Sequence, residues 1–282
     1  MAIGAFIVML SGGMDISFPA IATVTMYVTV SVLNKFHGNL FIAFCMASIL
    51  GIMFGLVNAI IIYNFKMPTL IATLGTSSIF HGAYLSIAEI PHIYFVPPYF
   101  FQFGQKLVIS WTSKEGYPIG LSAMTLTMLI IVVVSWLLLR YTMLGKGIYA
   151  VGGNMEAAKR AGFNIRRIQF FVYAYVGFLS GIASVLYVSL VRHVHPFNLM
   201  NILLDVIAAV VLGGASLAGG SGTVLGTMLG VIMIYFIKNS LVLMKIPSDW
   251  DPVVIGLVII VSTGINAYSK VIGKSRFPAI EM

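Results

Sequence analysis

The sequence predicts an all-α, polytopic membrane protein of about nine spans. Three observations carry that. Of 282 residues, 60% are hydrophobic and only 9% are charged, against roughly 25% charged in a soluble domain. The mean hydropathy is +1.02, which excludes a soluble enzyme and a disordered chain. The apolar residues fall in long unbroken runs, such as Thr125 to Leu139, not in the short alternating segments of a membrane barrel. In lipid such runs must satisfy their own backbone hydrogen bonds, and helices do so.

The runs are expected at about 1–11, 15–33, 39–63, 68–88, 120–140, 168–191, 203–218, 222–244 and 250–268, separated by short polar or glycine-containing breaks. Four precede the longest link and the fifth run, and four follow. Val8-Met9-Leu10-Ser11-Gly12-Gly13 resembles Val210-Val211-Leu212-Gly213-Gly214, a hint of an internal repeat whose halves cross the membrane in opposite directions. The first run begins at Met1 with no charged flank before it. It is therefore no signal peptide, and the expectation is that a further span precedes it in the natural chain. The whole of 1–282 reads as one transmembrane domain.

Lys and Arg orient it. Arg140, Lys146, Lys159, Arg160, Arg166 and Arg167 form the densest basic cluster. Placed in the cytoplasm, that cluster brings Lys66, Lys270, Lys274 and Arg276 to the same side. Lys35, Lys106, Lys114, Arg192, Lys238 and Lys245 fall outside or near outer helix ends. The excess of 16 Lys+Arg over 8 Asp+Glu is thus a membrane signature, with lipid rather than nucleic acid as the partner.

The basic segment 140–167 is the most informative stretch. Asn154 is a good N-cap, Glu156 sits in a first turn, Lys159 and Arg160 in a last turn, and Gly162 suits a left-handed helix end. A helix of about two turns over 155–161 follows. It is too short to persist alone, so something must hold it: its own bundle, or a partner packed on Ala157, Ala158 and Ala161.

Elsewhere, Asp15 and Asp205 stand at run boundaries. Each is either a helix cap or an intramembrane functional group. Gly213, Gly214, Gly219, Gly220 and Gly222 read as a packing and hinge break, since no cation lies between Arg192 and Lys238 to hold a phosphate. His193 and His195 lack further ligands for a metal and read as outer-loop residues. Tyr94 to Phe103 reads as an interfacial aromatic loop. With Cys45 as the single cysteine, no internal disulfide forms. No phosphate loop is present; the nearest match, Gly273-Lys274-Ser275, has Tyr268 where the first glycine belongs.

Three blocks resemble the sugar-type permeases of ATP-binding-cassette importers, the ribose and xylose permease group. Gly147-Ile148-Tyr149-Ala150, Gly152-Gly153-Asn154, Glu156-Ala157-Ala158 and Gly162 match the coupling segment of that family. Ser11-Gly12-Gly13-Met14-Asp15-Ile16-Ser17 and the stretch from Asp205 to Gly220 match two further blocks. The family often has Glu where Leu204 stands.

The resemblance implies ten spans with a pseudo-twofold inverted repeat, of which this chain would hold the second to tenth. It implies a non-catalytic subunit in a bacterial plasma (inner) membrane. That subunit pairs with a second copy or a related permease, two ATPase subunits or a tandem ATPase, and an extracytoplasmic solute-binding protein. Gly152, Gly153, Asn154, Glu156, Ala157, Arg160 and Gly162 would couple to the ATPase. Gly12, Gly13, Asp15, Asp205, Gly213, Gly214, Gly219 and Gly220 would line the pathway or hinge it. The chain would bind no cofactor, with ATP and Mg on the partner. A secondary transporter or channel would need no such coupling helix. An intramembrane hydrolase would need a histidine beside Ser216, and His81 is the one candidate well inside a span.

Overall fold

The computed structural model describes residues 1–36, 38–88, 92–112 and 118–275, with backbone alone for Pro118 and 265–275. Lys114 and Arg276, and the side chains of Lys270 and Lys274, used above for orientation, lie outside what is described.

Each predicted apolar run carries a helix, but not every run is one long helix. Helix α1 (Ala2–Leu10) has nine residues, about 13 Å, too short to cross a bilayer. It is apolar on every side, and Ile3 through Leu10 are all buried, as a helix without a polar stripe must be. It forms the centre of the largest core, against Ile148, Ile168, Val172, Val176, Val210 and Val211. After an irregular stretch come α2 (Phe18–Phe36), α3 (Leu40–Phe65) and α4 (Thr69–Ile87). Asn39 caps α3 by accepting from the Ile42 N–H at 2.9 Å.

The link after α4 holds α5 (Pro98–Gln105) and an antiparallel hairpin, β1 (Leu107–Thr112) with β2 (Pro118–Ser122). The aromatic stretch expected as an open loop is therefore partly helical. Pro98 starts α5, where a missing N–H costs nothing, and Phe100 is fully buried. Next come α6 (Ala123–Tyr141), α7 (Met143–Gly153), α8 (Met155–Arg160) and α9 (Ile165–Val191). Segment 140–167 is not a single exposed loop: Gly145, Gly147, Ile148 and Val151 of α7 are buried. Helix α10 (Leu203–Leu212) is again short, and the expected run to 218 instead leaves the helix at Gly213. Helices α11 (Val224–Leu243) and α12 (Asp251–Ser275) complete the described chain.

Among the described residues five helices, α3, α4, α6, α9 and α11, are long and apolar enough to cross a membrane. The most extensive helix pair is α3 on α9. A methyl on Gly51 would overlap the Gly177 carbonyl, one on Gly55 the Tyr173 carbonyl, and one on Gly181 the Ala47 carbonyl. Small residues four apart let the two backbones touch, the usual basis of helix association in lipid. The same device joins α10 to α11 through Gly213, Gly226 and Gly230.

Successive helices alternate in direction and define two ends. At the basic end, Arg166 stacks over the Tyr63 and Phe170 rings, and Arg140 over Trp136 and Tyr141. At the far end lie α5, the hairpin and the links before α5 and after α9.

Candidate functional site

Three backbone segments meet near the basic end: the turn after α1, the junction of α7 with α8, and the glycine loop between α10 and α11. The Gly220 N–H donates to the Leu10 carbonyl at 2.9 Å. A methyl on Gly152 would overlap that same carbonyl oxygen, and a Cβ on Gly219 would lie 2.6 Å from the Gly12 Cα. The Tyr149 hydroxyl of α7 donates to the Gly222 carbonyl at 3.0 Å. Between Leu10, Gly12, Gly152, Gly219 and Gly220 the contact is thus backbone on backbone.

The two stretches that suggested a repeat close their helices in the same way. Gly13 N–H bonds the Val8 carbonyl at 3.1 Å and Gly12 N–H the Met9 carbonyl at 3.0 Å. Ala215 N–H bonds Val210 at 3.2 Å and Gly214 N–H bonds Val211 at 3.0 Å. Gly12 and Gly214 take φ of 82° and 84°, the left-handed geometry of this helix end. Similar sequence here means a similar stop signal on two half-length helices.

Helix α8 hangs from this junction. The Asn154 side chain accepts from the Ala157 N–H at 3.0 Å. Gly162 takes φ 86°, and the Gly162 and Phe163 N–H groups bond the Lys159 and Ala158 carbonyls at 3.1 Å each. Only Ala158 of the three alanines is buried; Ala157 and Ala161 are exposed. Glu156 and Arg160 pair at 3.7 Å with side chains 85% and 83% exposed, so the pair itself contributes little. The helix rests on its bundle along one edge and presents the rest outward. Asn164 then caps α9 through the Arg167 N–H at 3.0 Å.

Asp15 lies in the break between α1 and α2 and is 4% exposed. One oxygen, Oδ1, accepts from the Ser17 N–H and Ser17 hydroxyl, each at 2.6 Å, just before α2 begins. That is an Asx-turn at the entrance to α2. The Asn58 amide of α3 donates to Ser17 Oγ at 2.7 Å. The Met14 and Ile16 N–H groups donate to Thr69 and Thr73 of α4 at 2.9 and 3.1 Å. Irregular backbone is tolerated here because neighbouring helices supply its partners.

Asp205 is elsewhere, in the first turn of α10, and caps nothing by its side chain. Its Oδ2 accepts from Lys238 Nζ at 2.7 Å, and Asp251 Oδ2 lies 3.7 Å from the same nitrogen. The three line a cavity of about 460 Å³ with Tyr235 and Asn239. In the sequence Lys238 reads as an outer charge, and its place as a lone lysine inside an apolar run is the signal that it needs a partner.

Gly214 is not a tight contact: a Cβ there would meet nothing within 4 Å, and only its φ resists substitution. The hydrolase arrangement is not assembled either. His81 Nε2 bonds the Pro196 carbonyl at 3.0 Å, about 18 Å of helix beyond Thr69, whereas Ser216 belongs to the glycine loop. Among the described residues no group of three or more His, Cys, Asp or Glu could hold a metal.

The family profile described as branched-chain amino acid transport system / permease component matches residues 1–263. The chain is 31% identical over 267 residues to the ribose import permease protein of Haemophilus influenzae, covering 95% of this chain and 80% of that one. It is 33% identical over 263 residues to the ribose import permease protein of Bacillus subtilis, covering 93% and 78%. The autoinducer 2 import system permease protein of Yersinia pseudotuberculosis is 31% identical over 261 residues, covering 92% and 71%. No solved structure matches the chain. These relatives are permeases, not enzymes, and with the five apolar helices they make this a multi-pass protein of the bacterial plasma (inner) membrane. The chain belongs to the permease family of sugar-type ATP-binding-cassette importers.

Proposed function

We propose that the chain is the membrane subunit of an ATP-driven importer that moves a monosaccharide or sugar-like small solute into the cytoplasm by alternating access. Relatives named for ribose and autoinducer 2 import support that solute class. On this reading α1–α4, α6 and α9–α12 are nine membrane segments, with α1 and α10 entering only part-way. The sets α1–α4 and α9–α12 are the two halves of an inverted repeat, and the basic end is cytoplasmic. A second permease completes the pathway. A separate ATPase pair or tandem ATPase holds ATP and Mg, and a binding protein delivers the solute at the far end.

The observation that carries this is the junction. Helix α8 is exposed except along Ala158, and α7, joined directly to it, ends against the Leu10 carbonyl and Gly220. Gly152, Gly153, Asn154, Glu156, Ala157, Arg160 and Gly162 form a docking element and its anchor. Gly12, Gly13, Asp15, Gly213, Gly214, Gly219 and Gly220 form the hinges it moves, and Asp205 lies beside the cavity at the other end of α10. A push on α8 reaches both half-length helices through backbone atoms alone, without a flexible side chain to absorb it.

Cross-linking tests the docking surface. With Cys45→Ser as background, Met155→Cys in the assembled complex should form a cross-link to the ATPase whose yield changes on ATP binding. Solute uptake with no ATPase present, and no cross-link from 155, would favour a secondary transporter instead.

A further inference from the structure

Four of the five histidines, His81, His92, His193 and His195, gather at the far end. There the link before α5 is fastened to the link after α9 by two reciprocal backbone bonds. Ile93 N–H donates to the Val194 carbonyl at 3.1 Å, and Val194 N–H donates back at 2.8 Å. The His92 ring stands edge-on to His195, 4.5 Å between centroids.

The hydrogen bond of one of these rings requires a neutral imidazole, and those of a second are compatible with one. His195 Nδ1 accepts from the Phe197 N–H at 3.2 Å. A backbone N–H cannot turn round, so a proton on Nδ1 sets two donors against each other. His193 Nδ1 lies 3.0 Å from the Val191 carbonyl and so carries hydrogen. Its Nε2 then accepts from the Asn198 amide at 3.1 Å. That second site is less strict, because the Asn198 amide can flip. His81, bonded to the Pro196 carbonyl, donates in either protonation state.

We propose that this clasp is a proton-operated latch: it is closed with a neutral His195 imidazole and is released when His195 takes up a proton.

Burial, then the neighbouring His92 and His193 imidazoles, hold His195 below the ordinary histidine range. A closed state with a depressed histidine binds fewer protons than the open one. Its stability is therefore present above about pH 6.5 and is lost as pH falls. For this one histidine the open-to-closed ratio rises by up to about tenfold per pH unit.

Little nearby opposes this. From α4 the cluster is faced by Tyr84, and from its own link by Tyr94. Arg192 is stacked on the Phe101 ring of α5 at 4.0 Å. Asn34 of α2 bonds the Phe95 carbonyl, with Lys35 next to it in sequence. Among the described residues no ion pair includes these histidines; Glu89 lies outside the described residues. The latch itself does not depend on the transport reading. Only its exposure to the external medium rests on the orientation proposed above.

The test uses the full chain in lipid nanodiscs, with spin labels at Phe95→Cys and Leu190→Cys in a Cys45→Ser background. At pH 7.5 the inter-label distance should be single and narrow. At pH 5.5 it should become longer and broader, reversibly. His195→Asn keeps an acceptor two residues before the Phe197 N–H, as in an Asx-turn, but cannot be protonated. That variant should stay narrow at pH 5.5. An unchanged distance at pH 5.5 with the native histidines overturns the latch, as does equal opening in His195→Asn. Amide exchange at Ile93 and Val194 in the unlabelled chain, corrected for intrinsic pH dependence, decides between the same outcomes.

Discussion

Asp15 illustrates how much one side chain can fix at a break in a buried helix. Its Oδ1 closes the Asx-turn that leads into α2, and asparagine can perform that without charge. Asp15→Asn should therefore leave thermal stability within a few tenths of a kcal/mol, whereas Asp15→Ala should cost about 0.5–2 kcal/mol. Thermal unfolding of the purified chain in one detergent measures both; an equal loss in the two variants would mean that the charge, not the turn, is what matters. The glycines separate in a similar way. Gly214 and Gly220 both need a left-handed φ, but only Gly220 also abuts a backbone, with a Cβ 2.7 Å from the Gly153 Cα. Gly220→Ala should reduce assembled yield more than Gly214→Ala. From sequence alone the two looked equivalent, because composition reports that glycine is present and not which of its properties is used. The stop at Gly162 was legible, since Asn154, Glu156 and Gly162 each signal a helix boundary locally.

At the scale of elements, helix locations followed from hydropathy, while helix lengths did not. A hydropathy run cannot tell a helix that continues from one that stops at a glycine and proceeds as loop, which is why α10 proved shorter than its run. The α7 helix was hidden because its apolar face is only half of a glycine-rich, partly basic stretch. The α5 helix and the hairpin were hidden because aromatic residues suit helix, strand and membrane interface alike. The α3–α9 seam did leave a readable mark in the spacing of Ala47, Gly51 and Gly55 against Gly177 and Gly181. Overfilling such a contact costs about 1–3 kcal/mol or more. Gly51→Leu and Gly177→Leu should each lower the unfolding midpoint sharply, while Gly75→Leu on α4, where a Cβ meets nothing within 4 Å, should not. Comparable midpoints for all three would remove the seam from the account.

For the whole molecule, two ends are tied differently. At the far end, Lys238 joins the first turns of α10 and α12 through Asp205 and Asp251, whose side chains are 23% and 21% exposed. Lys238→Met leaves two carboxylates facing each other. The loss should exceed the roughly 1 kcal/mol of a surface pair and fall short of the 3–5 kcal/mol of a fully buried one. Adding Asp205→Asn to Lys238→Met should recover part of it, and no recovery in the double variant would show the three groups to be uncoupled. This tie joins residues 205, 238 and 251, so it could not be read along the chain; only folding brings them together. At the basic end the turn after α1, the end of α7 and the glycine loop meet backbone on backbone, and on the proposed function motion there is geared to α8.

Solute-stimulated ATP hydrolysis by the reconstituted complex, with and without loaded binding protein, bears most directly on that gearing. The Glu156–Arg160 pair is exposed, so Glu156→Ala should weaken stimulation only modestly. Gly162→Val places a β-branched residue at φ 86° and must redirect the chain between α8 and α9. The account predicts that this variant inserts in the membrane and retains the ATPase, yet shows no stimulation by solute. Normal stimulation in Gly162→Val would contradict it, and would leave α8 as a capped loop lying on its own bundle.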